Sequence, residues 1–433
     1  MPLIDPATVH RAILPNGLTV VVREDHSADV VAIVTYVNAG YFDEPDEWIG
    51  IAHVLEHMYF KGTPTRGPGE IAQQTKAAGG YLNASTIYDH TLYYTVVPGE
   101  SFLEGLDLQS DALVNSMIDQ AELSKELEVI IQEAKRKLDN PAAVAREGVY
   151  ELMFDRHRIR RWRIGTEEGL RKLTHDDVLA FFRGWYRGSS TVLVIAGAVD
   201  TELAFQAVHE RYANFRGGDI ARDRGPAEPD RAEFRFREMS GDVAKTRVEM
   251  GWRTQPTMHE DTAALDLLAV VLGQGRASRL YRNVRDTGLA SGVSAHNYTP
   301  TELGVFGVST EAQPSEALSA MRAIFATIED VAERGVTEDE IARARSIAEA
   351  RMLRSLETME GQANFLAEWQ SAGDWRLGLE YLEQLLLVTA DDLQRVAKKY
   401  LTIDRVGIVA YRPSNAAPRA ANASALRDAL VTA

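Results

Sequence analysis

His53-Val54-Leu55-Glu56-His57 lies inside the run Ile49-Gly50-Ile51-Ala52-His53-Val54-Leu55-Glu56-His57-Met58, an H-x-x-E-H pattern in an apolar setting. On an α-helix, positions four apart share a face, so the two imidazoles can reach one metal ion. Glu56 projects beside them, where a carboxylate can act on a water held by that ion. The order is the reverse of H-E-x-x-H. Two histidines are one ligand short of a catalytic zinc site, which takes three protein ligands and keeps a fourth position open. Until a third ligand is found, two histidines on the face of an amphipathic helix account for the pattern equally well.

The chain contains no cysteine. Thiolate ligands and disulfides are therefore excluded, and any zinc must be held by histidine and carboxylate. The candidate carboxylates lie in Lys125-Glu126-Leu127-Glu128-Val129-Ile130-Ile131-Gln132-Glu133. Glu126 and Glu133 are seven apart, two helical turns, and so share a face. Val129 and Ile130 fall between them, and a carboxylate buried among aliphatics is costly unless paired or metal-bound. A solvated glutamate on a helix surface is the plain alternative for either position.

A chain of 433 residues is too long for one ordinary core, so two or more domains are expected. The formal charge of −16 argues against nucleic acid as a partner. No run of 18 apolar residues exists, so no transmembrane segment is expected. Met1-Pro2-Leu3-Ile4-Asp5-Pro6 has neither the basic nor the apolar region of a secretory leader. Either the protein is cytoplasmic or a signal has been removed. The basic cluster Arg156-His157-Arg158-Ile159-Arg160-Arg161-Trp162-Arg163 reads as a solvated loop, with a partner surface as the alternative.

The sequence repeats itself. Leu173-Thr174-His175-Asp176-Asp177-Val178 opens a helical pattern that leads to the apolar strand Thr191–Gly197. Val388-Thr389-Ala390-Asp391-Asp392-Leu393 opens another, leading to Val406–Ala410. Thr174 with Asp177 and Thr389 with Asp392 read as N-caps with an acidic third position. Leu123-Ser124-Lys125-Glu126 and Val336-Thr337-Glu338-Asp339 each begin a long helix. The step from Leu123 to Val336 is nearly the same as that from Thr174 to Thr389. Two ordered matches at almost one offset indicate a duplication. The polar, Gly/Pro-rich stretch 217–231 reads as the linker between a domain at 1–216 and a homologous one at 232–433. Strands are expected at 17–22, 30–37, 81–86 and 91–97, with helices at about 101–117 and 124–138. Strands first and helices after indicate α+β layers, each domain an antiparallel-rich sheet packed with helices.

The combined motifs resemble the pitrilysin family, which includes insulin-degrading enzyme and mitochondrial processing peptidase and carries the inverted-zincin signature. In that family a glutamate at a set distance past the second histidine completes the site, and Glu133 stands at that distance from His57. A second glutamate lies seven before the ligand, at Glu126 here. Phe60-Lys61-Gly62-Thr63, the stretch Gly79–Thr86 followed by Asp89-His90-Thr91-Leu92-Tyr93, and Ile164-Gly165-Thr166 also match the family's text. The resemblance spans nearly the whole chain. It implies two domains like those of mitochondrial processing peptidase and Zn²⁺ bound by His53, His57 and Glu133. Glu56 would then activate a zinc-bound water, and Glu126 would orient the ligands from behind. Asn83 and Ala84 would lie on a strand that holds the peptide substrate as an added strand.

The chain also departs from the family. Complete members carry an Arg and a Tyr, seven positions apart, in the half opposite the zinc. Arg285 could match that Arg, but the Tyr position falls on Ser291, and seven past Arg285 is Gly292. The repeat offset places Leu267-Leu268-Ala269-Val270-Val271 opposite the metal helix and Ser346 opposite Glu133, so the second half lacks the metal site. The resemblance thus implies a heterodimer in which a homologous subunit supplies the missing pair. By analogy with short bacterial relatives it implies a periplasmic location. A non-catalytic assembly subunit of the same fold is the alternative.

Overall fold

The computed structural model describes residues 4–230, 232–418, 420 and 422–431. Arg231, at the end of the expected linker, lies outside them, as do residues 1–3 and 432–433 of the expected domains.

Eleven strands are present among the described residues: β1 Val9–Ile13, β2 Thr19–Glu24, β3 Val30–Val37, β4 Tyr81–Thr86, β5 Thr91–Pro98, β6 Thr191–Gly197, β7 Arg235–Gly241, β8 Thr246–Thr254, β9 Gly292–Tyr298, β10 Gly304–Ala312 and β11 Val406–Pro413. The α-helices of the first half are α1 Ile51–Met58, α2 Glu70–Ala77, α3 Phe102–Val114, α4 Gln120–Leu138, α5 Pro141–Met153, α6 Glu167–Leu170, α7 His175–Trp185 and α8 Thr201–Arg211. Those of the second are α9 Thr262–Gly273, α10 Ala317–Arg334, α11 Glu338–Ser355, α12 Met359–Ser371, α13 Leu377–Leu387, α14 Ala390–Tyr400 and α15 Ala423–Val431.

One sheet has the order β1-β2-β6-β3-β5-β4, the other β7-β11-β8-β10-β9. Apart from the extra edge strand β1, the second order repeats the first strand for strand. Each sheet is antiparallel except for one pair, β2–β6 in the first and β7–β11 in the second. This is the antiparallel-rich α+β architecture expected from the sequence. The two N-caps that revealed the repeat are real. Thr174 and Thr389 each accept from the backbone of the residue three on, Asp177 and Asp392, whose carboxylates bond back. The earlier pair is only half right. Thr337 caps α11 together with Glu340, but α4 begins ahead of Leu123, at Gln120. There the Asp119 carboxylate accepts from Ala121 and Glu122 N–H, whereas Ser124 Oγ donates to the Gln120 carbonyl inside the helix. A short acid just upstream competed better for the free N–H groups than the serine.

The expected domains follow the repeat along the chain. Packing divides the chain differently, into one compact unit of Met1–Lys135, Trp162–Arg224 and Met352–Glu380 and another of Arg136–Arg161, Gly225–Arg351 and Tyr381–Ala433. Thus α12, from the second half of the sequence, lies on β3 and β6 of the first sheet, and α5, from the first half, lies on β8 and β11 of the second. The strands explain the need. All of β6 is buried, and all of β3 but its first residue, and a sheet buried on both faces must be covered on both. On α12, Ala363, Leu366 and Ala367 are fully buried. Leu366→Ala is expected to lower stability by about 2–5 kcal/mol, the cost of an unfilled core cavity, measured as the shift of the denaturant transition. A loss under about 1 kcal/mol would mean that α12 covers the sheet only loosely.

His90, just before β5, is buried, with its Nδ1 against the Tyr36 hydroxyl. Burial lowers its imidazole to about 3. The folded chain keeps His90 neutral while the unfolded chain takes up a proton below about 6.5. The stability it contributes is therefore complete above about pH 6.5 and is lost as pH falls toward 3. Between about pH 6.5 and 5 the wild type should lose about 2 kcal/mol more than His90→Gln by chemical denaturation. Parallel pH profiles for the two proteins would contradict this.

The basic run 156–163 is tied down locally. In the second unit, the Glu228 carboxylate accepts from the N–H groups of Asp155, Arg156 and His157, and His157 Nε2 meets Glu302 at 3.1 Å. Among the described residues no helix is long and apolar enough to cross a membrane.

Candidate metal centre

The H-x-x-E-H stretch is helix α1. Ile51, Ala52, Val54, Leu55 and Met58 are buried, which turns the face bearing His53, Glu56 and His57 away from the core. The start of α1 is held by contacts that the motif does not reveal. Gly50 has φ 97°, a left-handed conformation suited to glycine. Its N–H and that of Ala52 donate to the buried carboxylate of Glu44, each at 3.0 Å. A Cβ on Gly50 would lie 2.7 Å from the Ile164 carbonyl, and one on Gly165 would lie 2.7 Å from that of Ile49. Ile164-Gly165-Thr166 is therefore the segment against which the start of α1 is seated.

Helix α4 brings the carboxylates. His53 Nε2 stands 4.0 Å and His57 Nε2 3.8 Å from Glu133 Oε2. One ligand atom from each of these three residues lies within 4.8 Å of the others, the one such cluster among the described residues. Ligand atoms about 2.0–2.1 Å from a tetrahedral zinc are about 3.3–3.4 Å apart. The two histidine–carboxylate distances are about half an ångström wider, so a small contraction would bring Glu133 to ligand spacing from each imidazole. The donor set fits as well, since two imidazoles and one carboxylate make a three-ligand zinc site with an open position.

Glu126 lies behind the His57 ring. Its Oε2 is 3.0 Å from His57 Nδ1 and its Oε1 is 2.5 Å from Lys61 Nζ. Accepting from Nδ1–H, it sets the His57 tautomer so that the Nε2 lone pair faces Glu133. Burial would raise the Glu126 carboxyl, but Lys61 and His57 outweigh it and hold it below the ordinary range. The His57 ring thus lies between two carboxylates, both from one face of α4. Glu56 is turned toward β4. The Thr86 hydroxyl donates to its Oε2 at 2.6 Å. Burial raises the Glu56 carboxyl, opposed by that hydrogen bond and by His57.

Asn83 and Ala84 lie on β4, the outermost strand of the first sheet, which among the described residues pairs only with β5. Tyr81, Asn83 and Ser85 are exposed, while Leu82 and Ala84 pack on the core. The Ala84 N–H donates to Asn83 Oδ1 at 2.9 Å. Thr86, at the end of that strand, Glu44 and Lys61 are site residues to which sequence reading gave no role. Each acts through the fold rather than through a spacing along the chain. In the second unit, Arg285 donates from Nε to the Ser291 carbonyl, and its guanidinium stacks 4.8 Å from the centre of the Tyr281 ring. The tyrosine beside it thus precedes it in the chain rather than following it.

Known proteins resemble this chain over most of its length. Residues 19–167 match the family described as insulinase, peptidase family M16, and residues 172–348 match the peptidase M16 inactive domain. A protein of Mycobacterium tuberculosis named an uncharacterized zinc protease is 29% identical over 92% of this chain and 92% of its own length. One of Rickettsia felis with the same designation is 28% identical over 89% and 93%. Among solved structures, a protease from Helicobacter pylori superimposes with a TM-score of 0.89 at 25% identity, covering 94% of this chain and 99% of that one. A structure from Pseudomonas fluorescens, titled a peptidase M16 inactive domain, shares the fold with a TM-score of 0.85 at 18% identity, covering 95% and 99%.

Proposed function

Because the chain belongs to peptidase family M16, we propose that it is a zinc-dependent endopeptidase that hydrolyses peptides or unfolded segments laid along β4. The observation that carries this reading is the convergence of His53, His57 and Glu133 within 4.8 Å, with Glu56 on the same helix as the histidines. When bound, zinc supplies Lewis-acid polarisation of the scissile carbonyl and makes water a nucleophile near neutral pH. His53 and His57 through Nε2 and Glu133 through Oε2 would hold the ion. Glu126 keeps Nδ1 of His57 protonated and its ring oriented. Glu56 receives a proton from the attacking water and returns it to the leaving amine.

β4 serves the substrate. An edge strand offers unpaired backbone groups to an extended peptide, which is held by main-chain hydrogen bonds whatever its side chains. The Ala84 N–H now bonded to the Asn83 side chain is a donor that a peptide carbonyl can take over.

A homologous subunit completes the enzyme in this reading. No Tyr stands seven past Arg285, so the Arg/Tyr pair would come from the partner in a heterodimer. The test is zinc content after gentle purification, together with peptide cleavage by the chain alone and with its candidate partner. One zinc per chain and partner-dependent cleavage are expected. A chain that purifies with little zinc and cleaves nothing in either state would favour the non-catalytic assembly subunit. A monomer with full activity would remove the partner from the reading.

A further inference from the structure

The two units carry one arrangement twice, and the comparison isolates a residue that the metal triad does not include. In the first sheet Thr35 faces Leu193 and Tyr93. In the second, Met250 faces Ile408 and Val308. One strand further out, Tyr93 faces Ala84 and Val308 faces Ala295. The step from Thr174 to Thr389 also takes Leu193 to Ile408, so the two registers equate Thr86 with Asn297. Both residues lie toward the end of an edge strand, and both donate to an acid on the corresponding helix. Thr86 Oγ1 bonds Glu56 Oε2 at 2.6 Å, and Asn297 Nδ2 bonds Asp266 Oδ1 at 2.8 Å. Asp266 on α9 is thus the counterpart of Glu56 on α1, and Ala263 and Leu267 stand in place of His53 and His57. This corrects the helix register given by the repeat offset, which set Leu267 opposite His53.

The two acids differ in their second oxygen. Asp266 Oδ2 accepts from the Tyr381 hydroxyl, so both its oxygens are engaged. Glu56 Oε1 accepts no side-chain hydrogen bond among the described residues. Side chains hold both oxygens of the acid where the histidines are missing and one oxygen where they are present, where the Thr86 backbone N–H also acts on the Glu56 carboxylate.

We propose that Thr86 is the positioning residue of Glu56. Its hydroxyl fixes Oε2 and so presents Oε1 as the oxygen that exchanges the proton. The proposal rests on the reading of Glu56 as the base. It also links that base to β4, since one residue both ends the substrate-holding strand and orients the carboxylate.

The test compares Thr86→Val, which keeps the shape and removes the donor, with Thr86→Ser, which keeps the donor, each as the zinc-loaded chain with its partner. Thr86→Val should lower kcat by about 10- to 100-fold, with KM changed less than about twofold and zinc still at one per chain. Thr86→Ser should stay within about threefold of wild type in kcat. Crystal structures of the zinc-loaded variants supply a readout that needs no turnover. The Glu56 carboxylate should leave its position in Thr86→Val and keep it in Thr86→Ser. An unmoved Glu56 in Thr86→Val, or a moved one with undiminished kcat, would overturn the proposal. A wild-type chain that is inactive with its partner would overturn the peptidase reading instead, and the carboxylate position would still decide whether Thr86 orients Glu56.

Discussion

Glu56→Gln is expected to keep one zinc per chain and to lower kcat by about 10²- to 10⁴-fold, the range for loss of a positioned general base. The substitution is nearly isosteric. The amide oxygen can still accept from Thr86 Oγ1, which now bonds Glu56 Oε2, so the side chain keeps its place while losing the ability to take a proton. Glu56 lies outside the cluster of His53, His57 and Glu133, so metal content should not follow activity. Measuring zinc by atomic absorption beside kcat separates the two effects. A variant that cleaves peptides at the wild-type rate would show that another group carries the proton. One that loses its zinc would show that Glu56 belongs to the ligand set.

Glu133→Gln should do the reverse, and removing the metal should reproduce it. Glu133 Oε2 is the atom that both Nε2 atoms approach, at 4.0 and 3.8 Å. The amide retains the size of the side chain but carries no charge to oppose a divalent cation. Loss of a residue that merely supports a ligand weakens zinc binding about 10- to 100-fold. Loss of the ligand's own charge should therefore cost about 100-fold or more, measured against a chromophoric chelator. The Glu133 side chain is 41% exposed, so the fold should be little changed, and the apparent inactivity should be relieved in part by raising free zinc. Unchanged affinity in Glu133→Gln would leave the third ligand to another residue.

These two experiments rest on residues that the sequence singled out, and the reason is local geometry. His53, Glu56 and His57 fall within one turn and a half of helix, so their common face follows from helical periodicity alone. The caps at Thr174 and Thr389 were equally legible, because each closes on a residue three positions away. Glu133 is different in kind. Spacing placed Glu126 and Glu133 on one face, and only the family resemblance tied that face to α1, which lies far back along the chain. The structure then divided the two glutamates between the two nitrogens of His57.

Other parts of the site could not be read along the chain. Glu44 caps α1 through the backbone N–H groups of Gly50 and Ala52, and no pattern of side chains encodes that bond. The register of α9 was misread by about one helical turn because the repeat offset is not constant. The segment from Thr86 to Thr91 has a longer counterpart, from Asn297 to Phe306, and an insertion in a hairpin turn leaves no mark on the strands beside it.

By itself the sequence determined the helix that carries two histidines and an acid, the glutamates two turns apart on one face, the duplication and the α+β class. All of these depend on contacts between near neighbours or on periodicity. Tertiary structure alone decided that α12 and α5 each cover the sheet of the other repeat, that Thr86 holds Glu56, and that the second half keeps an acid tied at both oxygens. Burial of both sheet faces demands a cover but does not say which helix supplies it, and a hydrogen bond between distant residues exists only once the chain has folded.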